Sequence, residues 1–105
     1  MKYLVTGTYT QEGVKGLLSK GGTSRVAAVT AMVEILGGKI EAFYYAFGKT
    51  DVIVIVDVPD AITGAALSLA VNSSGAVELS ITPLITPEEI DQACQKTIDY
   101  VPPGS

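Results

Sequence analysis

Histidine is absent from this chain of 105 residues. That removes imidazole acid/base chemistry, serine–histidine hydrolytic arrangements and the commonest metal ligand. Cysteine is almost absent: Cys94 stands alone. It has no partner for an intrachain disulfide, which suits a reducing cytoplasm. One cysteine without histidine cannot build a zinc site of the usual kind, so we expect no metal and no bound cofactor. Positive charge is scarce and scattered, with seven Lys and Arg against eleven Asp and Glu and a net charge of −4. No basic stripe offers counterion release, so no nucleic-acid partner is expected. Long apolar runs are missing too. Val52 to Val56 is far too short to span a bilayer. The stretch after Met1-Lys2 breaks at Thr6, which leaves no leader pattern. No membrane partner is expected, and the setting read from these absences is cytoplasmic.

What remains is unusually apolar. The hydrophobic set makes up 48% of the chain and charged residues 17%. A small monomer buries only a limited share of its surface, so the excess hints at a subunit interface. No internal repeat or low-complexity tract is present, and the length suits one domain, 1–99, followed by a flexible tail, 100–105.

Lys2 to Thr10 alternates with period two and reads as a strand. Gln11 to Lys20 places Val14, Leu17 and Leu18 at helical spacing, weakened by Gly13 and Gly16 at about 1 kcal/mol each relative to alanine. After Gly21-Gly22, Thr23 or Ser24 is expected to cap a second helix with Val26, Val29, Val33 and Leu36 on one stripe. Gly37-Gly38 ends it. Lys39 to Phe47 is a strand, Gly48-Lys49-Thr50 a tight turn, and Asp51 to Val58 a central strand of nearly continuous valine and isoleucine. Pro59-Asp60 opens a helix to about Asn72, rich in small residues, and Ala76 to Ile81 is the fourth strand. Thr86-Pro87-Glu88-Glu89 reads as a capping box with proline at the first helical position, opening a helix to about Ile98. The order is that of an α+β, ferredoxin-like βαββαβ fold, with a four-stranded antiparallel sheet, helices on one face and an extra C-terminal helix.

Alternation sorts the strand residues onto two faces. Tyr3, Val5, Gly7, Ala42, Tyr44, Ala46, Val52, Val54, Val56, Val77, Leu79 and Ile81 form the set expected under the helices. The opposite set mixes Leu4, Phe43, Tyr45, Phe47, Ile53 and Ile55 with Thr6, Thr8, Glu41, Asp57, Glu78, Ser80 and Thr82. Its aromatic and aliphatic members would form an exposed patch, which marks an interface. Either a second copy packs sheet to sheet around a partly polar lumen, or the terminal helix folds across the face of a monomer.

Several segments resemble the GYD domain family of the dimeric α+β barrel superfamily. They are Gly16-Leu17-Leu18, Gly21-Gly22-Thr23-Ser24-Arg25, Gly37-Gly38-Lys39, Phe43-Tyr44-Tyr45-Ala46-Phe47-Gly48, Asp51-Val52, Ser74-Gly75-Ala76-Val77 and Leu84-Ile85-Thr86-Pro87-Glu88-Glu89. Thr50 stands where the tyrosine of the family's Gly-Tyr-Asp triplet is expected. The resemblance implies the fold and association into a dimeric barrel, as a homodimer or a higher oligomer. It implies no particular activity, and fold does not dictate one.

Candidate chemistry is confined to a few places. Gly21, Gly22, Ser24 and Arg25 can hold an anion at a helix start, although a helix break with a solvated arginine is the commoner use of such a segment. Asp51 either orients a ligand at the lumen rim or bonds backbone amides in its turn. Asp57, Glu41 and Glu78 would be raised in pKa inside an enclosed lumen, where one could act as a base. The alternative keeps them wet at strand ends. Tyr9, Tyr44 and Tyr45 can donate to a carbonyl or stack on a flat ligand. Cys94 shares a stripe with Ile90 and Ile98 and is expected to be buried.

Two readings of function follow, with a third behind them. One is a protein that binds a small molecule between sheet and helices or in the dimer lumen, with Gly21, Gly22, Ser24, Arg25, Tyr44 and Asp51 as ligand contacts. Another is a cofactor-independent enzyme, isomerase or monooxygenase-like, acting on an aromatic or polyketide-like substrate through Asp57, Glu78 and Tyr45. The third is a ligand-sensing or assembly module.

Overall fold

The computed structural model describes residues 1–104; Ser105 of the expected tail lies outside the described residues. The chain runs β1 (Lys2–Tyr9), α1 (Gln11–Lys20), α2 (Gly22–Ile35), β2 (Lys39–Tyr45), β3 (Val52–Asp57), α3 (Ala61–Ser73), β4 (Val77–Pro83) and α4 (Pro87–Cys94). The sheet order is β2-β3-β1-β4 and every pairing is antiparallel. This is the ferredoxin-like arrangement expected from the element order.

Local chemistry explains most boundaries. Thr10 caps α1 by accepting from the Gly13 amide, and Asp60 caps α3 by accepting from the Thr63 amide. At the end of α2, Gly37 takes φ 80°. The Gly38 amide donates to the Val33 carbonyl and the Gly37 amide to Glu34, the paired bonds of a glycine-terminated helix. The start of α2 departs from expectation. Neither Thr23 nor Ser24 caps it; the cap position is Gly21, at φ 83° and without a side-chain bond. Gly21 also donates its amide to Leu17 at the end of α1. Its left-handed backbone, open to glycine at little cost, turns one helix directly into the next, so α2 has begun before either hydroxyl is reached.

The core lies between sheet and helices, where Tyr3, Val5, Val52, Val54, Val56 and Val77 meet Val33 and Leu67. These strand residues sit on the helix side, as alternation predicts. Strand β2 does not follow its predicted alternation. Ile40 pairs with Val56 but Ala42 pairs with Ile55, so Glu41 is an extra residue, a bulge. Beyond it Phe43 opposes Val54 and Tyr45 opposes Val52. Phe43 and Tyr45 therefore pack on the core side, while Tyr44 turns outward and is 69% exposed. The predicted sides of Ala42, Phe43, Tyr44 and Tyr45 are all reversed. Ala46 and Phe47 lie beyond the strand, in a turn closed by the Ala46 amide on the Asp51 carbonyl. Phe47 is fully exposed there and is no part of the sheet face.

The C-terminal segment also departs from expectation. The capping box of Thr86 and Glu89 is formed, with Pro87 in the first turn. Yet α4 stops at Cys94, short of Ile98, and contains no buried residue. Cys94 is exposed. Among the described residues its stripe stays exposed, with Ile90 at 48% and Ile98 at 80%, so the capped first turn is not extended by burial. The radius of gyration is 17.0 Å, against about 13 Å for a compact chain of this length. The terminal helix does not cross the outer face of the sheet, where Leu4, Ile53 and Ile55 remain only partly covered.

Candidate functional site

Sheet order creates a gap. Helix α2 lies nearest the β2 edge and α3 nearest the β4 edge, with Val33 and Leu67 reaching in over the central strands, β3 and β1. A narrow slot of about 70 Å³ remains between the helices. Val29, Met32 and Val33 of α2 form one wall, Leu67 and Val71 of α3 the other, and Val5 and Val54 part of the floor. Ser68 of α3 and Arg25 of α2 are the polar side chains that the helices give to it.

At one end Tyr9 and Arg25 border both the slot and a wider vestibule of about 460 Å³. Lys20, Gly21, Ser24 and Glu12 also line that vestibule. Tyr45 reaches the same place from the end of β2, and its hydroxyl donates to the Gly22 carbonyl at 3.0 Å. Glycine is needed at position 22 for this approach, because a Cβ there would sit 2.9 Å from Tyr45 Cε2. Burial pushes the Tyr45 phenol up, the neighbouring Tyr9 phenol pushes it further, and Arg25 pulls it partly back. It stays protonated and committed as a donor at neutral pH. Phe43 packs behind it, with ring centroids 5.4 Å apart and tilted by 59°.

Asp51 stands one step away. Its Oδ2 accepts from the Tyr9 amide at 2.9 Å, and its own amide donates to the Gly7 carbonyl. It ties the β2–β3 turn to the end of β1 and so holds Tyr9 at the mouth. Gly21, Gly22, Ser24, Arg25 and Tyr45 are thus gathered at one place, with Asp51 bracing it. Tyr44 is not among them, because the bulge sends it to the other face. Tyr9 belongs with the group; its place at the end of the helix-side alternation of β1 was the available signal.

The proposed carboxylate chemistry is not assembled. Asp57 and Glu78 share the outer face, but the register sets Asp57 opposite Lys2 and Glu78 opposite Thr8. Six residues of strand separate them, about 20 Å. Tyr45 is on the opposite face. The Asp57 carboxyl is not raised but lowered, because the α-amino group of Met1 donates to it at 2.9 Å. Glu41 pairs with Lys2 at 3.1 Å. Among the described residues, no group of three acidic or cysteine side chains is placed to hold a metal ion, and no helix is long and apolar enough to cross a membrane.

Searches of curated proteins and of solved structures give no match. The GYD domain matches residues 3–94. That span runs from the first strand through the last helix, taking in the glycine pair before α2, the β2 aromatics and the capping box, and the chain belongs to the GYD domain family.

Proposed function

We propose that the protein is a cytoplasmic homo-oligomer that binds a small molecule in the slot between α2 and α3. The observation that carries this reading is the slot itself. It is apolar along its length save for Ser68 of α3, with Tyr9 and Arg25 at one mouth, the usual character of a ligand pocket. The end of β1 and the start of α2 bring Tyr9 and Arg25 to that mouth. Two helices that do not close on each other can also yield to a guest at small cost. The outer sheet face supports the oligomer. Leu4, Ile53, Ile55 and Tyr44 lie there with no helix over them, and apolar surface of this kind favours a partner.

Native mass spectrometry of the purified chain tests both parts together. A dimer or larger assembly that retains a bound small molecule is the expected result. A strict monomer at micromolar concentration would remove the oligomer. Retention of the same molecule by a folded Val71→Phe variant, whose ring fills the slot, would remove the slot as its site.

A further inference from the structure

We propose that the ligand is an apolar monocarboxylate with a slender, unbranched tail, its chain in the slot and its carboxylate on Arg25 at the mouth. This rests on the slot being the binding site.

Charge decides the head group. Two ion pairs occur among the described residues, Met1 with Asp57 and Lys2 with Glu41, so Arg25 has no carboxylate partner. In a chain with net charge −4, the vestibule is a local exception: Lys20 and Arg25 face it against Glu12 alone. A cationic head would meet two like charges. A carboxylate there meets a planar guanidinium whose donors match it in pairs. Tyr45 lines neither space, and its hydroxyl is spent on the Gly22 carbonyl, so it does not bind the head.

Size decides the tail. The slot of about 70 Å³ is about half the size of an apolar cavity that takes benzene. A fused ring system does not fit, whereas a single methylene chain does. The head needs no such economy, because the vestibule is several times larger. Each methylene that enters the slot should tighten binding about fourfold until the slot is full. Arg25 is exposed, so its contribution is screened by water. Carboxylate over alcohol should be worth about five- to tenfold.

The test is a ¹⁵N NMR titration of the full chain with hexanoate, octanoate, octan-1-ol and octylammonium, repeated on Arg25→Gln and Val71→Phe. Thermal melts establish that both variants fold. Octanoate should bind about five- to tenfold tighter than octanol, with octylammonium weakest and hexanoate close to octanoate, because the tail of either fills the slot. Shifts should centre on Val29, Leu67 and Val71. Arg25→Gln should abolish the preference for octanoate over octanol on that variant, and Val71→Phe should weaken both ligands. Equal binding of octanoate and octanol to the wild type would overturn the carboxylate assignment and leave the slot standing. A preference that survives Arg25→Gln would remove Arg25 as its reader. If no amphiphile moves the slot residues, the binding site itself falls, and this inference with it.

Discussion

Asp51→Ala removes the side-chain acceptor of the Tyr9 amide. The bond is charge-assisted and only partly buried, so its loss sits at the low end of the range for such bonds, about 1–2 kcal/mol. For a domain of this size that corresponds to a fall in melting temperature of about 4–15 °C, compared at one protein concentration because assembly would shift the value. Asp51→Asn keeps an oxygen that can accept the same amide, without the charge, and should cost less than half as much. Neither change touches the Asp51 backbone amide on Gly7, so β3 keeps its register. The assay is urea denaturation of the three proteins, with hydrogen exchange followed at the Tyr9 amide. The alanine variant should expose that amide before the core strands open, and octanoate affinity should drop as Tyr9 loosens. If Asp51→Ala matches wild type within about 0.5 kcal/mol, the ordinary scatter of surface changes, and Tyr9 exchanges no faster, Asp51 does not brace the mouth.

Tyr45→Phe loses the bond to the Gly22 carbonyl and should cost about 0.5–1.5 kcal/mol by urea denaturation; no measurable loss would show that water replaces the phenol fully. Gly22→Ala places a Cβ 2.9 Å from the Tyr45 ring, so a crystal structure should show the ring displaced. Asp57 and Asp60 both have lowered folded pKa values, through the Met1 amine and the Thr63 donors respectively. Their stabilisation is complete above the unfolded carboxylate value and is lost as pH falls below about 4. Asp57→Asn and Asp60→Asn should therefore flatten the acid limb of stability against pH, and an unchanged limb would refute the pairing. Thr86→Ala should cost α4 about 1 kcal/mol of local helix stability, seen as lost helical circular dichroism. The global midpoint should hold, since α4 buries no residue; a fall in it would show that α4 is packed in solution.

Segments whose local chemistry agrees with their tertiary setting were legible. Gly37-Gly38 stops α2 because a left-handed residue is needed there, and Thr86 with Glu89 starts α4 because their side chains satisfy the first amides. Neither depends on distant contacts. Where α4 ends was not legible, since the stripe of Ile90, Cys94 and Ile98 states a capacity for burial and cannot state whether anything arrives to use it. The same holds for Asp57. Its position on the outer face follows from alternation, but the α-amino group that lowers its pKa is brought to it by the pairing of β1 with β3.

The bulge at Glu41 shows how one residue can redirect a functional reading. Strict alternation through β2 puts Ala42, Tyr44 and Ala46 under the helices and Phe43, Tyr45 and Phe47 outside. That assignment gives the core two alanines and one tyrosine and leaves three aromatic residues for a second copy or the terminal helix to cover. With Glu41 as the extra residue, Phe43 and Tyr45 become inner wall, and Ala42 and Tyr44 go out. The outer face then keeps Leu4, Ile53 and Ile55 as its apolar centre but loses most of its aromatic character. The consequence for chemistry is larger. On the outer face, Tyr45 would have stood with the carboxylates of a lumen. On the inner face, it meets the start of α2 beside Arg25 and Tyr9, where an apolar slot ends and no carboxylate pairs with the guanidinium. The phenol thereby moves from a setting suited to proton transfer to one that braces the start of α2 through the Gly22 carbonyl.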